Sequence, residues 1–297
     1  MSDLLARLTQ IRREHPERIA EALRSRRRRP LLGERGTLFL LAADHPARGV
    51  LKAGSEPEAM ADRGELLRRL LLALERPGVD GVMATPDMVE DLVLLGALEG
   101  KVVFGSMNRG GLSGSVFELD DRFTAYTAAA IQAAGLDGGK LMARVADDDP
   151  GSLETLVACA QAIGELAANR LPALIEVFAS RMESKRAVNL DGHAALIRAV
   201  QVVSGLGPTS AYTWLKLPVI DGMDRVLAAT SLPVLLLGGD PGADAAATYR
   251  RWEKAMAAPQ VIGLVAGRAL LYPEHGDVEK AVDQAAAIVA GRAGISA

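Results

Sequence analysis

The chain has 297 residues, 49% of them hydrophobic and 24% charged, which is ample apolar material for one large core. A net charge of −3 gives no general attraction for nucleic acid or an anionic membrane, and a lone cysteine, Cys159, excludes an internal disulfide. No apolar run approaches the ~20 residues that span a bilayer, and MSDLLARLTQIRREHPERIAEAL lacks the core of a signal peptide, so a soluble cytoplasmic protein is expected.

The first 30 residues read as a polar, amphipathic helical prefix ending in Arg26-Arg27-Arg28-Arg29-Pro30. Such a run suits phosphate backbones, but a solvated helix end before a proline accounts for it more simply, and no nucleic-acid partner is expected. Residues 1–35 are accordingly assigned to a helical extension and 36–297 to one catalytic domain.

After the prefix, short apolar runs alternate with longer helical patterns, the mark of βαβ units around a parallel sheet. The runs are Thr37 to Ala43, Gly81 to Ala84, Val102 to Gly105, Leu141 to Ala146, Ala173 to Phe178, Ala211 to Leu217, Pro233 to Leu237 and Val261 to Ala266. Helical segments include Glu56 to Glu75, Arg122 to Ala134, Ser152 to Ala168, His193 to Val203, Asp244 to Ala257 and Val278 to Ala290. Eight alternations in this length fit a closed (β/α)8 barrel, which typically takes about 250 residues, better than an open doubly wound sheet. No GxGxxG follows the first strand and no GxxxxGK[ST] occurs.

In such barrels the chemistry sits at the carboxyl ends of the strands. The first strand ends in Asp44, which is either a site residue or a loop cap. Glu176 interrupts the apolar fifth strand, so it faces the interior with a cationic partner, in a structural pair or in catalysis. On the fourth strand, parity puts Lys140 and Arg144 on one face, and Asp147 and Asp148 follow in the loop as a general acid/base or merely a polar turn.

On the sixth strand, Tyr212, Trp214 and Lys216 share a face. A desolvated lysine near another cation keeps a neutral amine able to attack a carbonyl, although a lysine whose stem packs while its head reaches water gives the same pattern. The last two strands end in Gly238-Gly239-Asp240-Pro241-Gly242 and Gly267-Arg268. Glycine turns at these two positions often bind phosphate, with Arg268 adding a charge-assisted contact. The histidines His15, His45, His193 and His275 are scattered without metal-ligand spacing, and no metal or cofactor is expected.

Ala43-Asp44-His45, Trp214-Leu215-Lys216, Leu237-Gly238-Gly239 and Ala266-Gly267-Arg268 together resemble the class I, Schiff-base aldolase superfamily of deoxyribose-phosphate, tagatose-bisphosphate and archaeal-type fructose-bisphosphate aldolases. The likeness runs from about Thr37 to Ala290 and leans toward an actinobacterial branch associated with inositol catabolism. It implies that Lys216 forms the Schiff base, that Asp44 lies in the active site, and that Gly238, Gly239, Gly267 and Arg268 hold a substrate phosphate. Lys140 falls near a fourth-strand lysine of the tagatose-type members, whereas the seventh strand lacks the lysine of deoxyribose-phosphate aldolases.

The expectation is therefore a metal-independent lyase of carbohydrate metabolism. It cleaves a phosphorylated ketose or keto-sugar acid, such as an inositol-derived 5-keto-gluconate phosphate, and assembles as a homo-oligomer. Lys216 is the nucleophile, Glu176 or Asp44 moves the proton, and Arg144 or Lys140 depresses the pKa of Lys216. A barrel isomerase or lyase without a covalent intermediate, and a non-catalytic phosphosugar sensor using Arg26 to Arg29 on a partner, are the rival readings.

Overall fold

The computed structural model describes residues 2–109, 111–184, 186–190, 192–240 and 244–293. Eight parallel strands close into a barrel: β1 (Leu38–Ala42), β2 (Gly81–Ala84), β3 (Val102–Ser106), β4 (Gly138–Val145), β5 (Ala173–Glu183), β7 (Thr213–Pro218), β8 (Val234–Leu237) and β9 (Val261–Ala266). Closure comes from the β4–β5 and β1–β9 pairings. The ninth strand, β6 (Arg186–Asn189), pairs antiparallel with the end of β5 and stands outside the ring. The fold is a single (β/α)8 barrel with an N-terminal helical extension, α1 (Ser2–Glu14) and α2 (Glu17–Ser25).

Strand parity divides the apolar residues into two cores. Outward residues such as Phe39, Leu41, Val103, Ile175 and Leu215 pack under the helices. Inward residues, among them Leu38, Leu40, Phe104, Leu174 and Leu235, fill the lower barrel beside Trp214, with Leu31 and Leu32 also against them. Two-sided burial explains why these strands read as continuous apolar runs. Higher in the same inward columns the side chains become Asp44, Ser106, Lys140, Glu176 and Lys216, so the barrel passes from a hydrocarbon floor to a charged upper layer.

Several helices are shorter than the periodicity predicts, and their caps give the reason. The helix α3 (Arg63–Glu75) starts at Arg63 because Asp62 accepts from the Glu65 N–H, while Glu56 is bridged to Ala53. Thr127 caps α5 (Ala128–Ala133), and the Asn108–Phe123 bridge keeps Phe123 out of it. Between them, α4 (Pro86–Leu94) follows β2. The later helices are α6 (Pro150–Ala168), α7 (His193–Ser204), α8 (Met223–Leu227), α9 (Ala245–Met256), α10 (Arg268–Leu271) and α11 (Val278–Ala293).

The prefix is not a solvated helix end. The Arg26 guanidinium is fully buried, donating to the Lys101 and Gly135 carbonyls and lying 3.3 Å from Asp137. Arg28 grips the other oxygen of Asp137 at 2.8 Å, and Arg29 pairs with Asp80 at 2.5 Å. The same two carboxylates accept the N–H groups of Val103 and Phe39, so the arginines clamp the lower ends of the barrel strands. Burying a charge is expensive without such partners, and here each has one.

Candidate active site

Strand register assembles the upper layer. Glu176 on β5 stands opposite Lys216 on β7 and Met142 on β4, while Ser106 on β3 stands opposite Lys140. Lys216 Nζ donates to Glu176 Oε1 at 2.7 Å, and Lys140 Nζ lies 2.6 Å from Glu176 Oε2. Lys140 also donates to Asp44 Oδ2 at 2.8 Å, which accepts from Ser106 Oγ at the same distance. All five residues are buried, and Asp44, Lys140, Glu176 and Lys216 line one cavity of about 230 Å³ at the barrel mouth.

The two lysines are pushed apart electrostatically. Burial and the like charge of Lys140 lower the Lys216 amine below its usual range, against the pull of Glu176. Lys140 is buried too, but the charges of Asp44 and Glu176 outweigh that and raise it. Burial would raise Asp44 and Glu176, yet the lysines hold both carboxyls low. One lysine is therefore fixed as a cation while the other sheds its proton more readily, the division that separates an electrostatic group from a nucleophile. Replacing Lys140 with methionine removes a positive neighbour, so Lys216 titrates at higher pH. If neutral Lys216 is the attacking form, the acid limb of a kcat/KM–pH profile then moves upward; an unmoved limb would show that Lys140 does not tune Lys216.

The glycine turns face the same cavity, with Gly238, Gly239, Gly267 and Arg268 all lining it. Gly267 has no room for a Cβ, which would fall 2.8 Å from His45 Cε1, and Gly239 adopts φ +75°, a conformation that favours glycine. Pro241 and Gly242 of the first turn lie outside the described residues. Arg268 reaches Asp240 at 3.4 Å and the Lys52 carbonyl at 3.3 Å, leaving its buried Nε without a partner. Arg144 also lines the cavity, above Lys140 on β4, where it bonds the Glu118 carbonyl and carboxylate. Lys140 shares the Glu176 carboxylate with Lys216, whereas Arg144 is held on Glu118. Asp147 and Asp148 sit apart, pairing with Arg198 and the Met182 N–H, as a polar loop would.

The family model for Cgl0159-like proteins matches residues 36–286. The chain belongs to the Cgl0159-like family. It is 48% identical to Cgl0159 of Corynebacterium glutamicum, with 97% of each chain covered and a TM-score of 0.94. An archaeal fructose 1,6-bisphosphate aldolase superposes with a TM-score of 0.65 at 16% identity, covering 92% of this chain and 99% of that one. The fructose-bisphosphate aldolase of Slackia heliotrinireducens gives 0.65 at 13% identity, over 87% and 84% of the two chains. At such identities the likeness shows a shared (β/α)8 barrel fold. No curated protein matches the chain.

The Cgl0159-like site includes groups that sequence reasoning passed over. His45 lines the cavity with its buried Nδ1 unpartnered, and burial with the charges of Arg268 and Lys216 lowers it to about 4, so it is neutral at pH 7. Ser106 was visible as a polar side chain two residues beyond the inward Phe104. Arg48 also lines the cavity and is locked to Asp121 at 2.7 Å, a partner too distant in sequence to read. The β5–β6 hairpin adds Phe178, Ala187 and Asn189 to one wall. Among the described residues no group of three or more His, Cys, Asp or Glu side chains is arranged to hold a metal ion, and no helix is long and apolar enough to cross a membrane.

Proposed function

We propose that the chain is a class I aldolase that cleaves a phosphorylated ketose or keto-sugar acid through a Schiff base on Lys216. The observation that carries this reading is a buried lysine of lowered pKa, hydrogen-bonded to a carboxylate that a second lysine, of raised pKa, also grips. A neutral Lys216 amine attacks the substrate ketone, and the carbinolamine loses water to leave an iminium beside Glu176. The C–C bond then breaks with its electron pair flowing into the iminium, while the departing carbon's hydroxyl gives up its proton and leaves as an aldehyde. Protonation of the enamine and hydrolysis return the amine and a shorter ketone.

Both oxygens of Glu176 are taken by the two lysines, which suits it to protons at the Lys216 nitrogen and the carbinolamine oxygen. Asp44 carries its bonds from Ser106 and Lys140 on Oδ2, and it is the base for the substrate hydroxyl. General acid–base groups of this kind contribute about 10²–10⁴-fold, and fixed geometry supplies ~7–11 kcal/mol more. The glycine turns and Arg268 seat the phosphate.

A screen of phosphorylated ketoses with coupled detection of triose phosphate, run with and without EDTA, tests the reaction class. An inositol-derived 5-keto-gluconate phosphate belongs in it, as do ketohexose phosphates. Cleavage that survives chelation is the expected result; loss of activity on chelation would contradict the mechanism. The sensor reading is weakened because Arg26, Arg28 and Arg29 are engaged within the fold. A cytoplasmic homo-oligomer remains part of the proposal, and light scattering measures its size.

A further inference from the structure

Arg144 is an inward-facing cation that the chemistry at Lys216 does not use. Around the closed ring β4 is the fourth strand and β9 the eighth, so four steps separate them in either direction. Arg144 thus stands diametrically across the mouth from the Gly267-Arg268 turn, and Lys216, on the sixth strand, lies between the two.

The two arginines are held alike. Each meets a loop carboxylate at longer range than the 2.6–2.8 Å bonds of the lysine cluster: Arg144 meets Glu118 at 3.2 Å, and Arg268 meets Asp240 at 3.4 Å. A carboxylate resting on an arginine that lines an otherwise open cavity occupies the place that a ligand anion would take. The wall beside Arg144 fits that purpose. Phe178, its register partner, supplies an apolar surface, and Asn189 accepts from Ser180 through Oδ1, which leaves its amide hydrogens to donate.

We propose that Arg144 binds a second anionic group of the substrate, a carboxylate or phosphate at the chain end opposite the one seated on the Gly238-Gly239 and Gly267-Arg268 turns. This deepens the aldolase reading and rests on it for the position of the reacting carbonyl. The substrate is then a two-ended anion stretched across the mouth with its ketone over Lys216. The Glu118 carboxylate is the resting occupant of Arg144 and leaves it when the ligand arrives, while the Glu118 carbonyl keeps its 2.8 Å bond from the guanidinium.

Calorimetric binding of glucitol 6-phosphate, 6-phosphogluconate and glucitol 1,6-bisphosphate tests the site without Schiff-base chemistry, because none of the three carries a ketone. One or both two-ended anions bind at least about tenfold more tightly than glucitol 6-phosphate, the increment expected for a charged hydrogen-bonded contact. Preference for 6-phosphogluconate identifies a carboxylate site, and preference for the bisphosphate a phosphate site. Arg144→Gln abolishes the preference while leaving glucitol 6-phosphate binding unchanged, and Glu118→Gln, which removes the competing charge, tightens the two-ended anions. Equal binding of all three, binding of none, equal weakening of all three by Arg144→Gln, or loosening by Glu118→Gln overturns the proposal. Failure of the Schiff-base reading shows itself differently, as no borohydride adduct on Lys216 with the binding preference intact.

Discussion

Replacing Lys216 with methionine lowers kcat/KM on the cleaved substrate by at least about 10,000-fold and leaves the protein folded. The size of the loss follows from the proposed role: without the amine no iminium forms, and the carbon–carbon bond has no electron sink. The fold survives because Glu176 keeps its 2.6 Å contact with Lys140, so no buried carboxylate is stranded. The methionine stem also lies in the inward column above Trp214 and beside Leu235, where an unbranched apolar chain packs well. Steady-state kinetics and a thermal melt on the same sample check both halves. A fall of only tenfold to a hundredfold would fit a lysine that merely assists a non-covalent reaction.

Replacing Glu176 with alanine has the opposite balance, a large loss of stability together with a loss of rate. It strips the shared carboxylate from two buried ammonium groups; Lys140 retains Asp44 at 2.8 Å, whereas Lys216 loses its only close anion among the described residues. Breaking a buried pair in this way costs about 3–5 kcal/mol, against a smaller loss for Glu176→Gln, which keeps an acceptor. The sign on the alkaline side is set by Lys216. Its pKa in the fold lies below the unfolded value and falls further without Glu176, so the unfolded chain binds the extra proton. The deficit against wild type is therefore greatest in the neutral range. It shrinks at acid pH, where wild-type Glu176, held down to about 2, loses its own stabilising charge, and at alkaline pH, where the amine is neutral in the unfolded chain as well. Denaturant titrations at several pH values measure this, and a pH-independent deficit would contradict it.

Much of the barrel was legible because a strand buried on both faces must be apolar throughout, and runs such as Leu38 to Ala42 and Val261 to Ala266 are nearly so. The same rule made the inward charges conspicuous: Lys140, Arg144, Glu176 and Lys216 stand out because each interrupts an otherwise apolar strand. Parity placed them on the interior, but their pairing needed register, which depends on barrel closure and not on local pattern.

What was not legible depends on distant partners. Arg26 is buried only because Asp137 lies 111 residues away, and without that partner a run of four arginines reads as solvated. Arg48 and Asp121 are hidden in the same way across 73 residues. The β5–β6 hairpin left a fainter trace: beyond Phe178 the strand continues to Glu183, and Ser184 turns the chain at φ +49°. His45 stood in the Ala43-Asp44-His45 motif without a role of its own, and its packing against Gly267 across the mouth of the barrel has no local trace in the sequence.

The most direct test of the account is borohydride reduction of the protein during turnover of a ketose phosphate, followed by peptide mass spectrometry. A stable adduct with the mass of the reduced substrate or ketone product is expected on the peptide carrying Lys216, absent from the Lys216→Met variant. Turnover with no adduct, or an adduct on Lys140 instead, would contradict it.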